Sequence, residues 1–240
     1  MTRIAIIAAM PGELMPLVRG WHHQTRHRVD LWTHKHEDGE WIAACTGAGQ
    51  AAATRALAEV EKDGPVTSLL SVGWAGALTE TCATGGVYRV SQIVDARTGE
   101  RFQFNATAQP CILVTNPAVV GEPGKRRLAT AYAATLVDME AAALARLAEM
   151  RGIPFACIKG VSDAVDARLP DLNRFIAPDG RFRLAAFVLF AALRPWYWPA
   201  LLRMGENSKK AAQGIAESLH DLLDARGHIR KRNGYPNLNP

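Results

Sequence analysis

Residues 137–166, VDMEAAALARLAEMRGIPFACIKGVSDAVD, leave the chain little choice of fold. A short apolar strand end at Leu136 and Val137 runs into an alanine-rich segment in which Leu144, Leu147 and Met150 recur at helical spacing. Gly152 and Pro154 stop that helix, because glycine accepts the left-handed cap and proline has no N–H with which to continue. Phe155 to Lys159 has the length of a buried strand, and Gly160, Val161, Ser162 and Asp163 form the connection after it. Asp138 and Glu140 fall at the helix start, where carboxylates meet unpaired backbone N–H groups. Glu140 and Asp163 are therefore expected beyond the carboxyl ends of two nearby strands, the edge at which open α/β sheets bind ligands.

The same strand-loop-helix grammar recurs upstream. Ile4 to Ala9 is a continuous apolar run, as in a strand covered on both faces, and Pro11 suits the first turn of a helix holding Glu13. Trp41 to Cys45 reads as a strand, followed by a tight turn at Gly47-Ala48-Gly49 and a helix from Gln50. Ser68 to Val72 is another strand, closed by the small-residue turn Gly73-Trp74-Ala75-Gly76. Gly86 to Val94 and Cys111 to Val114 are further strand candidates, and Gly121 to Arg127 reads as a loop leading into a short helix. GAGQAA superficially fits a dinucleotide-binding glycine pattern. The next strand ends in Gly73-Trp74, where an acidic residue would be needed to hold a ribose hydroxyl, so an oxidoreductase reading is disfavoured.

These segments together carry a resemblance. VDMEAAALA followed by IKGVSDAVD, with IAIIAAMPGEL, TGAGQAAA and SVGWAGAL in order before them, resembles the purine-nucleoside phosphorylase and nucleosidase superfamily. Within it the chain is similar to the methylthioadenosine and S-adenosylhomocysteine nucleosidases, and closer still to the hopanoid-associated phosphorylases, through DARTGERF and GKRRLA. The resemblance implies a single three-layer α/β/α domain over residues 1–240, built on a mixed, mostly parallel twisted sheet. Residues 182–225 would be a helical, apolar and aromatic extension of that domain.

The implied activity is cleavage of the N-glycosidic bond of a 5′-substituted adenosine by hydrolysis or phosphorolysis. By the subfamily resemblance the substrate would be adenosylhopane, with a smaller thioether nucleoside as the competitor. Asp163, positioned by Ser162, would protonate or hydrogen-bond purine N7. Glu140 would accept hydrogen bonds from the ribose hydroxyls, Met139 would pack on the sugar, and Glu13 would activate water. Val119 and Val120 fall near the places where the nucleosidases stack and clamp the base. Gly47, Gly49 and Gly73 would let backbone approach the water or phosphate.

Three departures bear on the mechanism. Trp74 stands where a small hydroxyl residue is usual, Ser71 where some phosphorylases carry an arginine, and Lys159 where an arginine is common. Losing the bidentate arginine fork weakens phosphorolysis relative to hydrolysis. Trp74 also motivates a different reading, a nucleoside-binding or membrane-docked accessory protein without turnover, because an indole fills space that a nucleophile needs. No cofactor is implied, apart from inorganic phosphate as co-substrate of a phosphorylase.

Composition narrows the rest. Hydrophobic residues at 48% and charged residues at 21% are ordinary for a globular protein, and no apolar stretch approaches the ~20 residues of a spanning helix. Five histidines between residues 20 and 40 occur without a metal-ligand framework, so no metal site is expected. The four cysteines are scattered, which favours reduced thiols and a cytoplasmic location, with a homo-oligomer expected from the family and no nucleic-acid partner. Residues 194–240 hold eight Lys/Arg against four Asp/Glu, most of the net charge of +5. Trp196-Tyr197-Trp198, between two prolines and beside arginines, reads either as a belt contacting a membrane or lipid, or as an aromatic corner buried within the protein or a subunit interface.

Overall fold

The computed structural model describes residues 2–37, 39–104 and 110–231, with side chains to residue 220. An 11-stranded mixed sheet forms the middle of the molecule. Its left half is β2 (His22–Arg26), β3 (Val29–His36), β4 (Gly39–Cys45) and β1 (Thr2–Ala8), in that order. The central strand is β5 (Ser68–Ala77), ten residues long. Beyond it lie β10 (Leu136–Asp138), β9 (Ile112–Thr115), β7 (Gln92–Asp95) and β8 (Arg101–Gln103). β11 (Phe155–Asp163) also pairs with β5, and β6 (Val87–Arg89) edges β11.

Apolar runs explain the centre. β1 is buried along almost its whole length because helices cover both faces. On one face Ile4, Ile6, Leu70, Val72 and Ile158 pack with Leu14 of α1 (Pro11–Leu14) and with Ile215 and Leu219 of α6 (Trp198–Lys231). On the other, Ala5, Ile7 and Leu69 pack with Leu57 of α2 (Gln50–Glu61) and Leu144 of α4 (Ala141–Arg151). The α6 helix packs on the sheet through Ala211, Ala212, Ile215, Ala216 and Leu219, all buried. Gly121 to Arg127, expected as a loop leading into a short helix, lies from Glu122 onward within α3 (Glu122–Tyr132), with Pro123 in its first turn. Gly152 ends α4 in the left-handed conformation, its N–H reaching back to Ala148 and Glu149.

β10 runs antiparallel to β5, with Leu136 opposite Ala77 and Val137 opposite Gly76. Glu140 thus follows the carboxyl end of β10 and Asp163 closes β11, while the two strands run in opposite directions. The chain after Val137 turns back along β5, while β11 runs parallel to it and delivers Asp163 opposite Gly76. A register shift between Val161 and Asp163, a β-bulge, re-aims the Ser162 and Asp163 side chains there.

Candidate active site

Glu13 is buried and held by three backbone amides. Its Oε2 accepts from the N–H groups of Ala9 (2.8 Å) and Met10 (2.7 Å), and its Oε1 from Trp74 N–H (2.7 Å). Proline at the start of α1 fixes the turn that folds Glu13 back onto its own loop. The carboxylate lies over Gly73, where a Cβ would stand 2.6 Å from Glu13 Oε1, so only glycine is accommodated. Burial raises the Glu13 pKa above the ordinary carboxylate range, against the amide hydrogen bonds, which lower it.

Glu140 lies at the start of α4 without capping it. Its Oε1 reaches across to the Gly49 N–H (2.6 Å), and Oε2 accepts from Met139 N–H (3.2 Å). The cap is Asp138, whose Oδ2 accepts from Ala141 N–H at 2.9 Å and whose Oδ1 accepts from the Thr115 hydroxyl at 2.7 Å. Burial, reinforced by the Asp138 charge, pushes the Glu140 pKa up to about 7. Glu13 and Lys159 both act electrostatically on Glu140, which places these groups in one charged cluster. Gly49 itself has open space over its Cα, while Gly47 sits against the Gly180 backbone.

Lys159 is 1% exposed, its ammonium 2.9 Å from Asp138 Oδ2. Its charge is paired with this buried carboxylate, which holds its pKa up despite burial. Asp163 is also paired. The buried ammonium of Lys125, on α3, meets Asp163 Oδ2 and the Ala164 carbonyl, and the Ser162 hydroxyl lies 2.6 Å from Oδ1. Lys125 escaped the sequence reading because it opens the basic run Lys125-Arg126-Arg127. The available signal was Leu128 three residues on, which shares its buried helix face.

Trp74 does not stand free. Its indole N–H donates to the Ser208 carbonyl of α6 (2.9 Å), and its six-membered ring covers Gly12. Val119 has both peptide groups engaged by one side chain: its N–H donates to Asn173 Oδ1 (2.8 Å) and its carbonyl accepts from Asn173 Nδ2 (2.8 Å). Val120 packs on Gly124 at the start of α3. Met139 lines a cleft of about 280 Å³ with Gly49, Gln50, Arg55, Arg97 and Pro117. A second cleft, about 470 Å³, is walled by Ala9, Met10, Gly47, Phe182 and Leu184. Asp163 and Lys125 line neither, so the acids and not the open volumes locate the chemistry. Among the described residues no group of three or more His, Cys, Asp or Glu is placed to hold a metal.

A mixed three-layer α/β/α sheet, with Glu13 and Asp163 brought from separate segments to its central strand, defines the nucleoside phosphorylase class of fold. The chain belongs to the phosphorylase superfamily, whose family model matches residues 3–121 and 98–189, and so to a class of enzymes. Solved structures agree on the fold. The 5′-methylthioadenosine/S-adenosylhomocysteine nucleosidase of Helicobacter pylori superposes with a TM-score of 0.70 at 16% identity, over 93% of this chain and 98% of that one. Futalosine hydrolase from Helicobacter pylori gives 0.71 at 16% identity, covering 93% and 98%. The 5′-methylthioadenosine nucleosidase of Arabidopsis thaliana gives 0.70 at 19%, covering 97% and 98%. By sequence alone no curated protein matches the chain.

Proposed function

We propose that this enzyme hydrolyses the N-glycosidic bond of a 5′-substituted adenosine, releasing adenine. The observation that carries the reading is the placement of acids along β5. Glu13 is anchored at Gly73 and Trp74, and Asp163 stands opposite Gly76. Three residues of strand put these attachment points about 10 Å apart. A purine held at one end and a water at the other, with the sugar between them, fits that span.

In this reading Glu13 takes the proton of the attacking water, its raised proton affinity matching the task. Glu140 accepts from the ribose hydroxyls, and its negative charge favours the positive charge that develops on the sugar. Ser162 and Asp163, with Lys125, deliver a hydrogen bond or proton to the leaving base. Trp74 is tied back onto α6, which supports turnover over a plugged, non-catalytic site.

The 5′ group we assign is long and apolar. The larger cleft begins at the loop that holds Glu13 and ends at Phe182 and Leu184, and adenosylhopane is the substrate of this kind that the hopanoid-associated resemblance names. Phosphorolysis is the second reading, favoured by Arg55 and Arg97 beside the first amides of α2. Adenine release from 5′-methylthioadenosine and from 5′-alkylthioadenosines of rising chain length, with and without phosphate, tests both readings. Release without phosphate, with kcat/KM rising with chain length, is expected. Strict phosphate dependence would establish phosphorolysis, and no base release from any adenosine would end the proposal.

A further inference from the structure

Among the described residues nothing covers the outer face of α5 (Leu184–Ala192), a helix whose nine residues, LAAFVLFAA, are all apolar and none of them buried. Leu184, Ala185, Ala186, Val188, Leu189 and Ala192 are exposed. At 100° per residue they cover more than half of the helix circumference. The apolar surface continues through Leu193, Trp196, Trp198 and Leu202, with Leu193 and Trp196 67% and 68% exposed. The segment is nonetheless fixed in shape. Phe187 and Phe190 pack on Phe175 with ring centroids 5.4 and 5.2 Å apart, and the Trp198 indole donates to the Ala191 carbonyl at 2.8 Å. That hydrogen bond spans the 105° bend between α5 and α6.

The chemistry of the rim chooses the partner. Arg181, Arg183, Arg194 and Arg203 flank the apolar surface, and residues 181–205 contain no Asp or Glu. Arg194 stacks over the Phe190 ring at 4.0 Å, so its charge sits directly beside the apolar surface. Among the described residues no single helix is long and apolar enough to cross a membrane. A flat protein partner covers one side of a helix, whereas hydrocarbon covers every side that enters it. Tryptophans at the level of arginines match the boundary between acyl chains and headgroups.

We propose that residues 184–202 form an interfacial anchor that seats the protein on a bilayer containing anionic lipid. The apolar face enters the acyl boundary and the arginines meet the headgroups. A consequence rests on the proposed function: the cleft that starts at the Glu13 loop opens at Leu184, so a docked protein presents its mouth to the bilayer, where an amphiphilic nucleoside resides.

Flotation of the full chain with vesicles of phosphatidylcholine alone, and with about a third phosphatidylglycerol added, tests the anchor. The wild type is expected to float with the mixed vesicles and more weakly without phosphatidylglycerol, with a blue shift in tryptophan emission. Leu189→Glu with Leu193→Glu is expected to lower partitioning at least about tenfold. Met150→Glu on α4, also at a highly exposed apolar position, is expected to float as wild type. Circular dichroism and activity on a water-soluble nucleoside should match in all three. Failure of the wild type to float, equal flotation of the double variant, or equal binding to phosphatidylcholine alone would overturn the proposal. So would a wild-type oligomer that the double variant turns into monomer while neither binds vesicles, which would make the surface a subunit interface. Vesicle binding without any adenine release would instead overturn the proposed function and leave the anchor standing.

Discussion

The buried ammonium of Lys125 is paired with the carboxylate of Asp163, the two brought together from α3 and from the bulged end of β11. One carboxylate oxygen meets the ammonium and the other the Ser162 hydroxyl, so the Lys125 N–H groups are the donors placed beside Asp163 at the leaving-base end. Lys125→Met is therefore expected to slow adenine release at least about a hundredfold, the range of a lost general acid. Cleavage of 4-nitrophenyl riboside, whose leaving group needs no proton, should fall less than about fivefold. Paired kinetics on the two substrates check this, and equal losses on both would assign Lys125 to structure alone.

Glu140 sets a pH limit. With its pKa pushed up to about 7 by burial, it holds a proton in the folded state over a range where the unfolded chain has lost it. The folded state binds the extra proton between about pH 4.5 and about 7, so stability falls as pH rises through that window and the penalty is constant above it. Activity needs the carboxylate, so kcat/KM should rise through the same window. Glu140→Gln is expected to gain roughly 1–2 kcal/mol of stability at pH 8, after subtracting the weakened Met139 contact, and to lose most activity. Urea melts at pH 5 and 8, with rates, measure both.

Breaking the Asp138–Lys159 pair should be costly for a different reason. Lys159→Met leaves the Asp138 charge buried and uncompensated, and a loss of about 3–5 kcal/mol is expected in denaturant unfolding. Adding Asp138→Asn should recover part of it, because the amide keeps an acceptor for Ala141 or Thr115 without the charge. No recovery in the double variant would show that the cost lies in packing.

Asn173 offers its carboxamide to both peptide groups of Val119, the two-point pattern that the amino and ring-nitrogen edge of adenine presents to a backbone. If that edge receives the base, Asn173 competes with substrate. Asn173→Ala should lower KM several-fold with kcat little changed. A raised KM would mean that Asn173 only pins the loop.

Glu13→Gln turns one of the two oxygens that accept from three backbone amides into a donor. It should cost about 1–3 kcal/mol in thermal unfolding and remove hydrolysis. Retained hydrolysis would place the water-activating group elsewhere.

Local sequence determined the strands, helix stops and small-residue turns, because apolar periodicity and glycine or proline chemistry act within a few residues. Ile4 to Ala9, the stop at Gly152, and the strand from Phe155 were legible for that reason, as were Glu13, Glu140 and Asp163 as the acids worth naming. Only the tertiary structure decided their partners. The antiparallel course of β10 turned Glu140 back along β5 toward Gly49, gave the helix cap to Asp138, and sent Lys159 to that cap. Packing of α3 and α6 drew Lys125 out of a basic run onto Asp163 and tied Trp74 to Ser208. Charge pairing and close approach depend on groups 21 to 134 residues apart, and no local pattern encodes which of them will meet.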